Sequence, residues 1–121
     1  MAVPIMKQGD ILIASMQEAL SDKALVQLRD ELSEQVGRLR ARAVIIDVTA
    51  LDVVDSFATR TIRGIAYATK LRGARTVVVG IQPSVAFAMV QLGMTLEGVA
   101  TALDLEEGLA LLKEGSSQES A

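Results

Sequence analysis

Apolar and polar residues alternate in blocks along this chain, and the spacing within each block predicts its local structure. Residues 3–6 and 11–14 are short apolar runs on either side of the polar residues 7–10, which is the pattern of a β-hairpin. Pro4 lies in the first run and has no backbone N–H to donate to a neighbouring strand. We therefore expect the chain to begin with a hairpin whose first strand lies at a sheet edge.

An amphipathic helix is predicted after Ser21. Apolar side chains recur there every three or four residues, and charged side chains fill the positions between them. The Ser21 hydroxyl can accept a hydrogen bond from an N–H group of the first turn, so this residue is a suitable helix cap. The apolar positions are Leu25, Leu28, Leu32, Val36 and Leu39.

Residues 44–48 and 76–80 are rich in valine and isoleucine and alternate little with polar residues. Such runs are typical of strands that are covered on both faces. Residues 99–101 can form one further short strand. Because helical segments separate these strands, the pattern predicts an α/β domain with parallel central strands.

The helix between the two valine-rich strands has two different faces, and Gly73 is placed to end it. The positions that can face the sheet are Ala58, Ile62, Ile65 and Ala66. The opposite face carries Ser56, Arg60, Arg63, Tyr67 and Lys70. This second face therefore combines a hydroxyl group with a stripe of cations.

The segment 85–92 is also predicted to be helical, with Pro83 near its first position, where the missing N–H costs nothing. Every residue between Ser84 and Gln91 is apolar. A helix that is apolar all round is buried on more than one side, so it lies beneath another element or meets a partner. Because of this helix, around Phe87, Met89 and Val90, and because of the surplus of apolar residues, we expect that the protein is not a monomer in its working state.

The last helix has a capping pattern at Asp104 and Glu107 and a packing stripe of leucines at positions 105, 109 and 112. We predict one α/β domain over residues 1–114, with a mixed, mostly parallel sheet, an N-terminal β-hairpin and about four helices. The small polar residues 115–121 are expected to form a disordered tail. Sites in such sheets lie beyond the carboxyl ends of the strands, where the loop 52–56 falls.

The composition narrows the possible chemistry. The 121 residues include no cysteine and no histidine, which excludes disulfides, Cys/His zinc sites and every nucleophile that depends on histidine. A net charge of -3 argues against nucleic acid as the main partner. Half of the residues are hydrophobic, so the sheet is covered on both faces, or apolar surface is buried against another chain, or both.

No apolar segment approaches the roughly 18 residues that a membrane span requires, and no charged region followed by an apolar stretch opens the sequence. We therefore expect a cytoplasmic protein without a membrane partner.

Ser56 is the main candidate for chemistry. An exposed serine at a helix N-terminus, with cations one and two turns below it, is a plausible phosphate acceptor. The alternative is that Ser56 only caps the helix and that the cations form a solvated face. A different class of function, a receiver-like domain or small enzyme, would hold Mg²⁺ between Asp47, Asp52 and Asp55. Asp47 is embedded in a valine and isoleucine strand, which favours structural hydrogen bonds for it.

The order of these residues resembles the STAS domain family, which includes anti-sigma-factor antagonists and anion-transporter tails. The motif is LDVVDS at residues 51–56 after the VIIDV strand, and the resemblance covers nearly the whole chain. Most members continue with a second hydroxyl residue and a glycine, whereas this chain has Phe57 and Ala58. That departure, with GIQPSVA at 80–86 and TALDLEEGL at 101–109, is similar to the single-domain scaffold proteins of the bacterial stressosome.

The resemblance implies a non-catalytic regulatory scaffold without a cofactor or bound metal. Such a scaffold assembles with itself and with STAS-bearing sensor paralogues of the RsbR type, and it holds a serine kinase of the RsbT type. Phosphorylation of the motif serine, here Ser56, releases the kinase, and a cognate phosphatase resets the system. The motif and kinase-docking residues are then Asp52, Asp55, Phe57, Arg60 and Arg63. The rival within the family is a free anti-sigma-factor antagonist that is phosphorylated on the same serine.

Overall fold

The computed structural model describes the backbone of residues 3–120 and the side chains of residues 3–114. In chain order its elements are β1 (Ile5–Gln8), β2 (Ile11–Ser15), α1 (Asp22–Leu39), β3 (Ala43–Asp47), α2 (Ser56–Leu71), β4 (Arg75–Val79), α3 (Pro83–Gln91), β5 (Ala100–Ala102) and α4 (Leu105–Ser120). The predicted α/β class, with an N-terminal hairpin and four helices, is confirmed. None of the helices in this part of the chain is both long and apolar enough to cross a lipid bilayer.

The five strands form one sheet in the order β1-β2-β3-β4-β5. Strands β1 and β2 are antiparallel, and every other neighbouring pair is parallel. The first strand lies at the edge, as Pro4 predicted. The hairpin turn is tighter than predicted, because Lys7 and Gln8 belong to β1 and only Gly9 and Asp10 form the turn, with Gly9 at φ +63°.

Both faces of the central strands are buried, as their unbroken apolar runs predicted. One face packs against α1, α2 and α3, and its largest fully buried side chains include Leu12, Val44 and Ile46. The other face, which includes Ile45 and Val77, packs against α4. Gly108 of α4 lies so close to β4 that a Cβ there would come within 2.7 Å of Val79 Cγ1, so a larger residue would force the helix or the Val79 side chain to shift.

Helix α1 is capped by its own chain, and its apolar side chains are buried in the domain. Ser21 is the N-cap, and its hydroxyl accepts a hydrogen bond from the Ala24 N–H at 3.1 Å. Four of its five predicted apolar positions are buried and the fifth, Leu39, is partly buried. Each buried leucine contributes about 1.5 to 3 kcal/mol relative to an exposed one. The sequence pattern therefore predicted both the element and its packing.

Helix α3 buries only part of its apolar surface. It begins at Pro83, as predicted, and it buries Val85 and Met89 against the core. Phe87, Val90 and Leu92 remain 65%, 76% and 72% exposed. The sequence left open whether this helix lies beneath another element or meets a partner. Val85 and Met89 pack against the core, whereas Phe87 and Val90 are exposed.

The capping pattern of α4 is present. Asp104 accepts a hydrogen bond from the Glu107 N–H at 2.8 Å, and Glu107 reaches back to the Leu103 N–H at 3.3 Å. Leu112 is fully buried in the second core layer. The tail predicted from Gly115 onward lies outside the residues whose side chains are described, and it stays a prediction.

Candidate functional site

The loop between β3 and α2 is anchored at its start by the sheet. Val48 donates its N–H to the Val79 carbonyl oxygen at 3.0 Å. The Asp47 carboxylate accepts hydrogen bonds from the Thr49 N–H at 3.0 Å and from the Thr49 hydroxyl at 2.6 Å. Asp47 therefore has the structural role that its position in the strand predicted.

The arrangement of carboxylates gives no support to a magnesium site. Asp47 is engaged with Thr49 at the end of its strand, while Asp52 and Asp55 lie further along the loop. Among the described residues there is no group of three or more His, Cys, Asp or Glu side chains that could hold a metal ion.

The same loop is tied to the loop that follows β4. Gln82 donates a side-chain hydrogen bond to the Thr49 carbonyl oxygen at 2.8 Å. Gly80 has φ +82° and lies directly against the Thr49 side chain, where a Cβ would collide. Both loops lie beyond the carboxyl ends of parallel strands, which is the general location of sites in such sheets. The start of α3 is therefore held beside the loop that carries the predicted motif.

Asp55, and not Ser56, is the N-cap of α2. Its carboxylate accepts a hydrogen bond from the Ala58 N–H at 2.8 Å, and its carbonyl oxygen accepts one from the Thr59 N–H at 2.9 Å. Ser56 is the first residue of the helix. The interpretation in which Ser56 only caps the helix was wrong, because the preceding aspartate already fills that role.

The Ser56 side chain is exposed. No hydrogen-bond partner of its hydroxyl is found within residues 3–114. A free, exposed hydroxyl at a helix N-terminus is accessible to a modifying enzyme, and a phosphate placed there is favoured by the dipole of the helix.

An apolar groove of about 540 Å³ opens on one side of Ser56. One wall is the segment 52–56 and the other is α3 with the residues that follow it. The residues that the second wall contributes are Ser84, Val85, Ala88, Leu92 and Met94. The rim on the loop side carries the carboxylates of Asp52 and Asp55, so the groove is apolar inside and acidic at one edge.

A smaller cavity of about 160 Å³, which we call the arginine notch, opens on the other side of Ser56. It is lined by Ser56, Thr59, Arg60, Arg63 and residues 93–95. Arg63 Nη1 lies 3.5 Å from the Thr95 hydroxyl, and the Arg60 guanidinium lies 6.0 Å from the centre of the Phe57 ring. Ser56 therefore separates an acidic rim from a basic notch.

The structure brings together most of the residues that the sequence singled out. Asp52 and Asp55 line the groove, Arg60 and Arg63 line the arginine notch, and Ser56 lines both. Phe57 does not line either cavity, because its ring is half-buried against the core and lies beneath Arg60.

Sequence reasoning missed the wall that α3 contributes. Ser84, Ala88, Leu92, Met94 and Thr95 approach Ser56 only through the tertiary fold. One signal could have found them. The loop after β4 also leaves a parallel strand at its carboxyl end, so the start of α3 had to lie at the same edge of the sheet.

Comparison with known proteins agrees with the motif. The family model of the STAS domain matches residues 2–107. A serine-to-glutamate variant of RsbS from Moorella thermoacetica has a similar structure, with a TM-score of 0.82, 36% identity, and coverage of 95% of this chain and 97% of that chain. A chain in the molecular architecture of the stressosome, a signal integration and transduction hub, has a TM-score of 0.79 and 37% identity, with coverage of 93% and 98%.

Among curated proteins, the RsbT co-antagonist protein RsbRA of Bacillus subtilis (strain 168) is 28% identical over 100 residues, which are 83% of this chain and 36% of that protein. This chain therefore spans about a third of the length of that relative. The predicted similarity to stressosome scaffold proteins is confirmed by these matches. Because the family model covers most of the sequence, this chain belongs to the STAS domain family.

Proposed function

We propose that this chain is a non-catalytic scaffold of a stressosome-type assembly, which binds a serine kinase of the RsbT type and releases it when Ser56 is phosphorylated. One observation carries the proposal. The Ser56 hydroxyl is exposed, and it is not needed to cap the helix because Asp55 is the N-cap. It lies between two cavities that a partner can fill. The relative RsbRA is named a co-antagonist of RsbT, which supports the class of partner.

The chemistry requires only an acceptor from this chain. The kinase transfers the γ-phosphoryl group of ATP to Ser56 Oγ, the hydroxyl proton passes to a base of the kinase, and ADP leaves. A cognate phosphatase hydrolyses the phosphoester and restores the hydroxyl group. Asp52 and Asp55 at the rim, Arg60 and Arg63 at the notch, and Phe57 beneath Arg60 are proposed to position the kinase around the acceptor.

Phosphorylation acts on the binding surface in this proposal. It adds about -1.5 to -2 charges at neutral pH next to Asp52 and Asp55. When a partner covers Ser56, the new dianion loses its hydration, and the cost is several kcal/mol unless cations compensate. Each ~1.4 kcal/mol weakens binding tenfold. In the free domain the helix dipole offsets part of the repulsion, so the fold is expected to persist.

The assembly partners are proposed to be further copies of this chain and sensor paralogues of the RsbR type. The exposed side chains of Phe87 and Val90 lie on one apolar face of α3 that nothing in the described part of the chain covers. Relatives of both kinds support this proposal, since a chain of the stressosome is 37% identical over 93% of this chain and RsbRA is 28% identical over 83% of it.

The alternative is a free anti-sigma-factor antagonist that is phosphorylated on the same serine. The observation in its favour is that both core layers are closed by this chain's own helices, so the domain can fold alone. Light scattering of this chain mixed with an RsbR-type paralogue separates the two functions. The scaffold forms a particle far heavier than either protein, whereas the free antagonist leaves the two separate masses.

A phosphorylation assay tests the acceptor directly. The purified chain is incubated with an RsbT-type kinase and ATP, and the modified peptide is identified by mass spectrometry. We expect phosphate on Ser56, no phosphate on Ser56→Ala, and a normal rate for Ser84→Ala, since Ser84 is an exposed serine that lines the same groove. Equal phosphorylation of the wild type and Ser56→Ala would refute the assignment.

A further inference from the structure

The arginine notch beside Ser56 has cations but no matching anion. Among the side chains of residues 3–114, the ion pairs within 4.0 Å are Arg29–Asp30, Arg38–Glu34 and Arg42–Asp10, and neither Arg60 nor Arg63 takes part in one. Arg60 is exposed and Arg63 is partly exposed. The two guanidinium groups are therefore available to an anion that enters the notch.

The helix geometry directs both arginines toward Ser56. Arg60 follows Ser56 by four residues, so the two side chains lie on one face of α2, one turn apart. Side chains on a helix lean toward its N-terminus, which brings the Arg60 guanidinium toward the first turn. Arg63 is two turns away, but it is long enough to line the same notch, where it approaches Thr95.

We propose that phosphoserine at position 56 folds back into the arginine notch and is bound there by Arg60 and Arg63. This inference rests on the proposed function only in taking Ser56 as the modified residue. A phosphate accepts paired N–H donors from guanidinium groups, and such charge-assisted bonds are roughly twice as strong as neutral ones. The arginines that help to dock the kinase would then be occupied by the chain's own phosphate, so phosphorylation both adds repulsion and removes a docking contact.

The notch is the better of the two cavities for the phosphate. The groove on the other side is apolar, and its rim carries Asp52 and Asp55, which repel a dianion. The notch offers two guanidinium groups and the Thr95 hydroxyl in about 160 Å³. This volume is roughly five times the ~30 Å³ share of one water in the liquid, so a phosphate has room.

The charged groups around the phosphate set the direction of its pKa. Arg60 and Arg63 on α2 and the N–H groups at the start of the helix favour the dianion, and they lower the pKa of the phosphate. Asp52 and Asp55 on the preceding loop favour the monoanion and raise that pKa. The segment after α3 contributes Thr95 to the notch, and its nearest charged residue along the chain is Glu97. If the arginines hold the phosphate, their removal must raise its pKa.

The experiment uses the full chain with phosphoserine incorporated at position 56 during translation, so no kinase is needed. The phosphate is titrated by ³¹P NMR in the wild-type background and in Arg60→Gln, Arg63→Gln and the double variant. Lys70→Gln is the matched control, because Lys70 lies on the same face of α2 but about 21 Å further along the helix at 1.5 Å per residue. Arginine side-chain Nε–H signals are recorded with and without the phosphate.

We expect the phosphate pKa to rise by roughly a few tenths of a pH unit in each single variant and by more in the double variant, while Lys70→Gln leaves it nearly unchanged. The Arg60 and Arg63 signals should move on phosphorylation. An unchanged pKa in the double variant, or an equal rise in Lys70→Gln, would overturn the proposal. A shifted pKa together with no phosphorylation of Ser56 by the kinase would uphold this inference and refute the proposed function.

Discussion

Helices α1 and α3 show how differently two elements of one domain can be completed. In α1 the apolar side chains form one stripe, the stripe is buried, and Glu34 pairs with Arg38 on the solvent side at 3.0 Å. In α3 the apolar side chains continue round the helix, but only Val85 and Met89 are buried. The apolar surface of α1 is buried within the domain, whereas α3 leaves part of its apolar surface exposed.

The difference follows from what holds each helix in place. The Ser21 hydroxyl caps α1, whereas no side chain caps α3, whose N-cap residue Gln82 instead donates to Thr49 in the loop before Ser56. Helix α3 therefore has no side-chain cap of its own and is held instead by a hydrogen bond to the loop before Ser56. In the proposed function, α1 serves the core and α3 serves a partner.

The largest effect should come from a core substitution in α1. Leu32 is fully buried, so Leu32→Ala should reduce the free energy of unfolding by about 2 to 5 kcal/mol, because it leaves a cavity. Val90→Ala on the outer face of α3 should change it by less than about 0.5 kcal/mol. Urea denaturation of both variants checks the contrast, and equal losses would show that the outer face of α3 is structural.

Removal of the α1 cap should have the next largest effect. Ser21→Ala leaves the Ala24 N–H without its acceptor and should cost about 0.5 to 2 kcal/mol. Ser21→Asp keeps an acceptor at the same position, so it should restore most of the loss. Thermal melts of the two variants measure this, and a Ser21→Asp variant as unstable as Ser21→Ala would contradict a capping role.

The tie between α3 and the functional loop should contribute less to stability. Gln82→Ala removes the hydrogen bond to Thr49 and should cost about 0.5 to 1.5 kcal/mol. Gln91→Ala is the control, because Gln91 is exposed at the other end of the same helix. If α3 is fixed through this contact, amide hydrogen exchange in the segment 49–56 should increase in Gln82→Ala alone, and unchanged exchange would show that the tie is dispensable.

The smallest effect on stability, with the clearest effect on assembly, is expected on the outer face of α3. Val90→Ser should leave the melting temperature nearly unchanged and weaken association with an RsbR-type paralogue. Leu71→Ser is the matched control, since Leu71 is 71% exposed at the far end of α2. Sedimentation of each mixture gives the particle mass, and equal assembly by both variants would remove this face from the interface.

Most of the fold could be predicted because local patterns determine it. The helical spacing of Leu25 and Leu28, the valine run of β4 and the Pro4 edge strand each have one physical interpretation. The state of α3 could not be predicted, because an all-apolar helix is compatible with burial inside the chain and with an open partner surface. Met89 illustrates the limit, since its burial depends on how the helix is rotated against the core.

The candidate site was predictable on one side only. The chain order placed Ser56, Arg60 and Arg63 on one face of a helix, and periodicity is sufficient for that inference. The residue that caps the helix could not be predicted, because Asp55 and Ser56 are both favoured N-cap residues and only the backbone geometry decides between them. The α3 wall of the groove, including Ser84 and Leu92, depends on contacts that no local pattern encodes.

The most direct test of the account compares kinase affinity and stability for the same four proteins: the unmodified chain, the chain with phosphoserine at position 56, Ser56→Ala and Ser56→Asp. Calorimetric titration with an RsbT-type kinase should show tight binding by the unmodified chain and Ser56→Ala. Binding should be weakened at least about a hundredfold by phosphorylation and should be reduced less strongly in Ser56→Asp. Melting temperatures should stay within a few degrees of one another. Equal affinity in all four proteins, or a phosphorylated chain that has unfolded, would contradict a switch at Ser56.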